Sequence, residues 1–204
     1  LYGDSHAYTL VSSLHDSFGL KGIKGIFILS NRDTSCMVVP FLYTDYSSAK
    51  SVEYCSAWNE SFLKVIKEIN PDQLILAARW TYQLYPVPKH IENQYFDNGE
   101  GGVEVDKENV SYAFEDKKFV VDAHAKSNAI KRFIKGIAET NIPLIITYPV
   151  PEMGWNIPNR NLKLLLSGQL MPDMISVSYE MYKKRNMFSH LVLDSVGTQD
   201  SITR

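Results

Sequence analysis

Apolar residues recur along this chain in two alternating rhythms. Ala7, Leu10, Val11 and Leu14 fall at helical spacing ahead of Gly19, a natural helix stop. The run "GIKGIFILS" that follows is short and continuous, the pattern of a buried strand. Trp58, Phe62, Val65, Ile66 and Ile69 then share one helical face, which Asn70-Pro71 closes. "DQLILAAR" is a second buried strand, and Ile130, Phe133, Ile134 and Ile137 mark a further helix. "IPLIITYPV" is the next buried strand.

Ile- and Leu-rich strands separated by amphipathic helices predict a central, mostly parallel sheet covered on both faces. The expected class is therefore α/β, a three-layer α/β/α domain of doubly wound, flavodoxin-like form. Sheets of this kind bind ligands at the carboxyl ends of their strands. The unusual residues gather at those ends: Gly3–His6, Asn31–Cys36, Arg79–Trp80 and Pro149–Trp155. Residues 81–120 break the rhythm, being polar and Gly-containing with alternation in "GVEVD" and "KFVVD". They read as an insertion with a hairpin, placed to act as a lid or specificity loop. The stretch between Cys36 and Cys55 reads as a loop.

Composition narrows the picture. A chain of 204 residues with 45% hydrophobic and 22% charged positions suits one domain, expected over 1–204. A net charge of −2 gives no electrostatic reason to expect a nucleic-acid partner. The densest basic runs, "KK" at 117–118 and "KKR" at 183–185, read as solvated faces. No apolar run reaches the ~18–20 residues that span a bilayer. Only Leu1 and Tyr2 precede the first turn, and Ile202-Thr203 begins a strand-like pair, so a fragment of a longer polypeptide is expected. Cys36 and Cys55 are too few for a thiolate metal site. By count alone they are either two buried thiols or a disulfide closing a loop of about 20 residues.

Chemistry concentrates in Gly3-Asp4-Ser5-His6. Gly3 permits a tight turn from strand to helix, and Ser5 then sits where the first helical N–H groups are unsatisfied. A serine there can attack a carbonyl while its own N–H helps to hold the oxyanion. Ser and Asp are also the commonest helix N-caps, so the turn alone does not distinguish nucleophile from cap.

The blocks "GDSHA", Ser35-Cys36, Cys55 ahead of Trp58-Asn59, "ILAARW" and "PVPEMGWNIP" together resemble the SGNH (GDSL-type) hydrolase superfamily. More narrowly, they resemble the SGNH domain fused to acyltransferase-3 membrane proteins, which O-acetylate bacterial surface polysaccharides such as lipopolysaccharide O-antigen. The resemblance implies Ser5 as nucleophile, with Gly3, Asp4, His6, Ser35, Arg79 and Trp80 lining the site or its oxyanion hole. It implies a Cys36–Cys55 disulfide, an acylated donor and a glycan acceptor as partners, and a membrane acyltransferase domain in the same polypeptide. It places the domain at the periplasmic face of the inner membrane, with neither metal nor cofactor. "AARW" stands where typical relatives carry Gly-x-Asn-Asp, so the Asn oxyanion donor is missing. Arg79 or Trp80 lines the site in its stead, unless Arg79 pairs with a carboxylate and Trp80 packs under the insertion.

A serine needs a base, which such enzymes supply from an Asp-x-x-His motif. No Asp in this chain has a His three positions on. His6, His15, His90, His124 and His190 read as supporting, surface or packing residues. The Asp-x-x-His pair is therefore expected in polypeptide beyond Arg204. Competing readings are an extracellular carbohydrate esterase, or a non-catalytic glycan-binding domain on the same scaffold; under any of the readings Trp80, Tyr82, Tyr85 and Trp155 are either sugar-stacking aromatics at the carboxyl edge or ordinary packing residues.

Overall fold

The computed structural model describes residues 1–22, 29–30, 38–39, 42–44, 57, 61–84, 95–97, 103–105, 111–115, 118–120, 122–152, 157–169, 176–196 and 202–203. Strand β1 (Tyr2–Gly3) leads into α1 (Ser5–Thr9) and α2 (Val11–Leu20), then β2 (Leu29–Ser30) and β3 (Leu42–Thr44). Helix α3 (61–69) precedes β4 (Leu74–Ala77) and α4 (Trp80–Leu84). Four short strands follow: β5 (Tyr95–Asp97), β6 (Val103–Val105), β7 (Ser111–Glu115) and β8 (Lys118–Val120). The chain continues through α5 (Ala123–Ala138), β9 (Leu144–Ile146), α6 (Ile157–Leu166), α7 (Tyr179–Asp194) and β10 (Ile202–Thr203).

The central sheet has the order β10-β9-β4-β1-β2, and all four pairings are parallel. Successive strand residues point to opposite faces, and two separate apolar clusters follow from that alternation. Tyr2, Leu74, Leu76, Leu144 and Ile146 pack with Phe62 and Ile66 of α3, and with Ile130, Phe133, Ile134 and Ile137 of α5. On this face the Tyr2 ring stacks on Phe62 at 3.7 Å and its hydroxyl donates to the Val38 carbonyl at 3.1 Å. Leu1 and Ala77 face the other way, against Ala7, with Leu10, Val11, Leu14 and Ile75 packed around them. The three-layer α/β/α architecture is thus built from two cores, one on each side of the sheet.

Local signals close the elements. The α3 helix ends at Asn70, whose φ of 45° turns the chain toward β4 while its N–H donates to the Ile66 carbonyl. Asp122 caps α5 by accepting the Ala125 N–H at 2.8 Å. Because β2 and β4 lie on opposite sides of β1, the chain reverses its winding direction between β1 and β4. That crevice is where doubly wound sheets place ligands.

Two expectations change. Residues 42–44, read as loop, form a strand that pairs antiparallel with β7, and β7 pairs in turn with β8. The 81–120 segment holds that β7–β8 hairpin and the separate β5–β6 pair, yet it does not begin as an insertion. Its first residues belong to α4, where Trp80 and Leu84 are fully buried in the main core.

Candidate active site

The strand-to-helix turn is fixed by Gly3 and Asp4. A Cβ on Gly3 would lie 1.7 Å from the Ala77 carbonyl oxygen and 2.5 Å from the Ala7 Cβ, so only glycine lets β1 approach β4 this closely. Asp4 stands in extended conformation as the N-cap of α1. One carboxylate oxygen accepts the His6 N–H at 2.9 Å. The other accepts the Arg79 N–H at 2.8 Å and the Gln83 side-chain amide at 3.3 Å. Capping and cross-strand anchoring are thus done by one side chain. Ser5 is the first residue of α1, two positions after the end of β1, and His6, half-buried, follows it on the same helix.

Arg79 and Trp80 follow β4 and diverge. Trp80 is fully buried, and its indole N–H donates to the Thr147 carbonyl at 2.7 Å. Its single donor is engaged inside the core, the packing alternative for this residue. The Arg79 side chain reaches toward the segment after β9 and donates through Nε to Glu152. Arg185 of α7 grips the other Glu152 oxygen through Nε at 2.8 Å and Nη2 at 2.6 Å. Burial pushes the Glu152 carboxyl up, but the hydrogen bonds and charges of Arg79 and Arg185 outweigh it and hold it below its ordinary value.

Ser35, Cys36, Cys55, Tyr85, His90 and Trp155 lie outside the described residues. His15 and His124 are exposed. His190 sits between Tyr148 and Tyr182, with ring centroids 5.0 and 5.9 Å away and Nε2 3.2 Å from the Tyr182 hydroxyl. Among the described residues, no three His, Cys, Asp or Glu converge as a metal site. None of the helices described is long and apolar enough to cross a membrane.

Glu152 and Gln83 hydrogen-bond Arg79 and Asp4 respectively, and Arg185 hydrogen-bonds Glu152; sequence reasoning missed all three. Glu152 lies inside the quoted "PVPEMGWNIP" block, a usable signal that was not singled out. Arg185 ends the "KKR" run; Lys183 and Lys184 are exposed as expected, but Arg185 turns inward to Glu152. Helical geometry explains the split, since neighbours on a helix do not share a face.

A scan against protein-family models matches residues 1–204 to the SGNH domain (fused to AT3 domains). Neither the curated proteins nor the solved structures contain a match to the chain.

Proposed function

Since the chain belongs to the SGNH domains that are fused to AT3 domains, we propose that it transfers acyl groups through an ester on Ser5. The observation that carries this reading is the double anchoring of Asp4. Its carboxylate ties the residue before Ser5 both to α1 and to the end of β4. A helix cap needs only the first of these contacts; the second ties the turn before Ser5 to the chain just after β4, on the side of the sheet where doubly wound folds bind ligands.

In the proposed reaction the Ser5 hydroxyl oxygen bonds to the carbonyl carbon of an acyl donor. The bond to the leaving group breaks, and the serine proton passes through a base to that group. A sugar hydroxyl then attacks the serine ester and takes the acyl group, and its proton passes through the base to the departing Ser5 oxygen, which restores the free hydroxyl. The Ser5 N–H, at the first turn of α1, is the oxyanion donor this chain offers at the turn. For the second donor we propose the backbone near Ser35 and Cys36, and for the base an Asp-x-x-His segment following β10. β10 runs parallel to β9, so a chain leaving its end emerges on the same edge of the sheet as Ser5.

The acyl group is proposed to be acetyl and the acceptor a bacterial surface polysaccharide, reached on the periplasmic side of the membrane. Cys36–Cys55 is proposed as a disulfide of that oxidising compartment. Treating the intact polypeptide with a fluorophosphonate and mapping the adduct tests the central claim. The label is expected on the peptide carrying Ser5 and is lost in Ser5→Ala. An unlabelled Ser5 in active, folded protein overturns it. Acetyl release to water, with no transfer to glycan, would place the activity with the esterases.

A further inference from the structure

Helix α6 carries its leucines on the outside. Leu162, Leu165 and Leu166 are spaced i, i+3, i+4 and form one stripe. They are 54%, 60% and 79% exposed. None of the α6 side chains described is buried, and none belongs to either apolar core. Asn161 and Leu164 are the half-buried ones, and the Asn161 side-chain oxygen is buried without a hydrogen-bond partner among the described residues. A helix of ten residues is too short to hold itself together in water and depends on covering an apolar face. In α6 the more apolar face is the one turned outward.

Charge says what that face fits. The two charged residues of α6, Arg160 and Lys163, are both basic. Lys163 is exposed, and it flanks the stripe from three positions before Leu166. No Asp or Glu occurs between Glu152 and Asp173, although the chain as a whole carries −2. Glu152 is itself paired with Arg79 and Arg185. Other exposed apolar residues lack this setting. Leu20 shares α2 with Asp16, and Met187 and Leu191 share α7 with Glu180 and Asp194. Leucines on one face, basic groups and no acid are the composition of a helix that lies in the plane of a membrane surface. Such a face is attracted to anionic headgroups and has no acid to be repelled by them. The domain belongs to a family fused to AT3 domains, which brings a bilayer within reach.

We propose that α6 docks on the surface of an anionic lipid bilayer, with Leu162, Leu165 and Leu166 entering the acyl-chain boundary and Lys163 beside lipid phosphates. The docking does not depend on Ser5 reacting. It bears on the site all the same: β9 and β1 run parallel in one sheet, so the chain that leaves β9 for α6 starts from the edge that carries the Ser5 turn.

The test is flotation of the 204-residue chain with extruded vesicles of phosphatidylcholine, alone or mixed with phosphatidylglycerol. The chain is expected to float with the mixed vesicles, severalfold less with phosphatidylcholine alone, and to be partly released by salt. Leu165→Glu weakens binding about tenfold or more, because one leucine no longer leaves water and a negative charge meets the headgroups. Lys163→Gln weakens binding to the mixed vesicles about fivefold and leaves phosphatidylcholine binding unchanged. Leu20→Glu, at an exposed leucine on α2, leaves both unchanged. Circular dichroism melts identify any variant that loosens the fold; if Leu165→Glu does, Leu166→Glu at the most exposed position of the stripe carries the comparison. A parent that does not float with mixed vesicles, or a Leu20→Glu loss as large as that of Leu165→Glu, overturns the lipid assignment. A parent that self-associates, is dissociated by Leu165→Glu and ignores vesicles overturns it in favour of a second copy of the chain.

Discussion

The Arg79 N–H donates to the Asp4 carboxylate at 2.8 Å, joining the end of β4 to the turn that presents Ser5. Asp4→Ala removes this bond together with the α1 cap. A cap contributes about 1 kcal/mol and a hydrogen bond to a charged group about 1.5–3 kcal/mol, so a loss of about 2–4 kcal/mol is expected in urea unfolding. Asp4→Asn keeps one acceptor oxygen and should lose about half as much. Fluorophosphonate labelling of Ser5 should slow in both, most in Asp4→Ala.

Gly3→Ala is the harsher change. The added methyl meets a backbone carbonyl at 1.7 Å, and that oxygen cannot swing aside as a side chain could. Overpacking of this kind costs about 3 kcal/mol or more. For a domain of this size each kcal/mol lowers the melting temperature by about 2–4 °C. A drop of about 10 °C, or failure to accumulate folded protein, is the expected result of a thermal melt.

Trp80→Phe separates packing from chemistry. It removes ring volume from a fully buried site and takes the indole donor away from the Thr147 carbonyl. Together these should destabilise by about 2–4 kcal/mol. Ser5 labelling in the folded fraction should be unchanged, because the indole faces the core. A slower label in fully folded Trp80→Phe would return Trp80 to the site.

What was legible in the sequence is what local spacing encodes. Ile130, Phe133, Ile134 and Ile137 announce the buried face of α5, and all four are in the core. Asn70-Pro71 announces the end of α3, and Ile202-Thr203 the last strand. What stayed hidden depends on partners far away in the chain. Leu42–Thr44 carries too few residues to show a strand period, and its pairing with β7 is made some 70 positions later. The inward turn of Arg185 cannot be seen without Glu152, nor the role of Trp80 without the Thr147 carbonyl. Gly3-Asp4-Ser5 was recognisable as a turn, but the Asp4–Arg79 bond that makes the turn rigid joins two strands and has no local signature.

Glu152 gives the fold an acid-sensitive clamp. Its carboxyl is held below the ordinary 4.5, since the hydrogen bonds and charges of Arg79 and Arg185 outweigh burial. A group whose folded pKa is depressed adds stability that is complete above its unfolded pKa and is lost as pH falls through the folded value. Stability of the parent should therefore decline below about pH 4.5 more steeply than that of Glu152→Gln, which has no proton to gain. Urea midpoints measured from pH 6 to pH 3 read the difference. Parallel curves for the two proteins would mean that the ion triad contributes nothing to acid stability.

Lys126 has the opposite pH signature. It is fully buried on α5, and burial lowers its ammonium from 10.5 to about 8 against the raising effect of Asp122. Between those two values the unfolded chain holds a proton that the folded protein has released. Stability must then rise with pH across that window and reach its full value near pH 10.5. At ~1.4 kcal/mol per pKa unit the rise is at most roughly 3 kcal/mol. Lys126→Met removes the titrating group, so its stability should stay flat across the same window if no other group titrates there. At pH 7 the substitution should not destabilise by the full amount of a lost core contact, because the charge it removes was costly to bury. Urea unfolding of both proteins at pH 7, 8.5 and 10 measures the slope. A parent whose stability does not rise relative to Lys126→Met would place the Lys126 ammonium in contact with water or with a compensating charge.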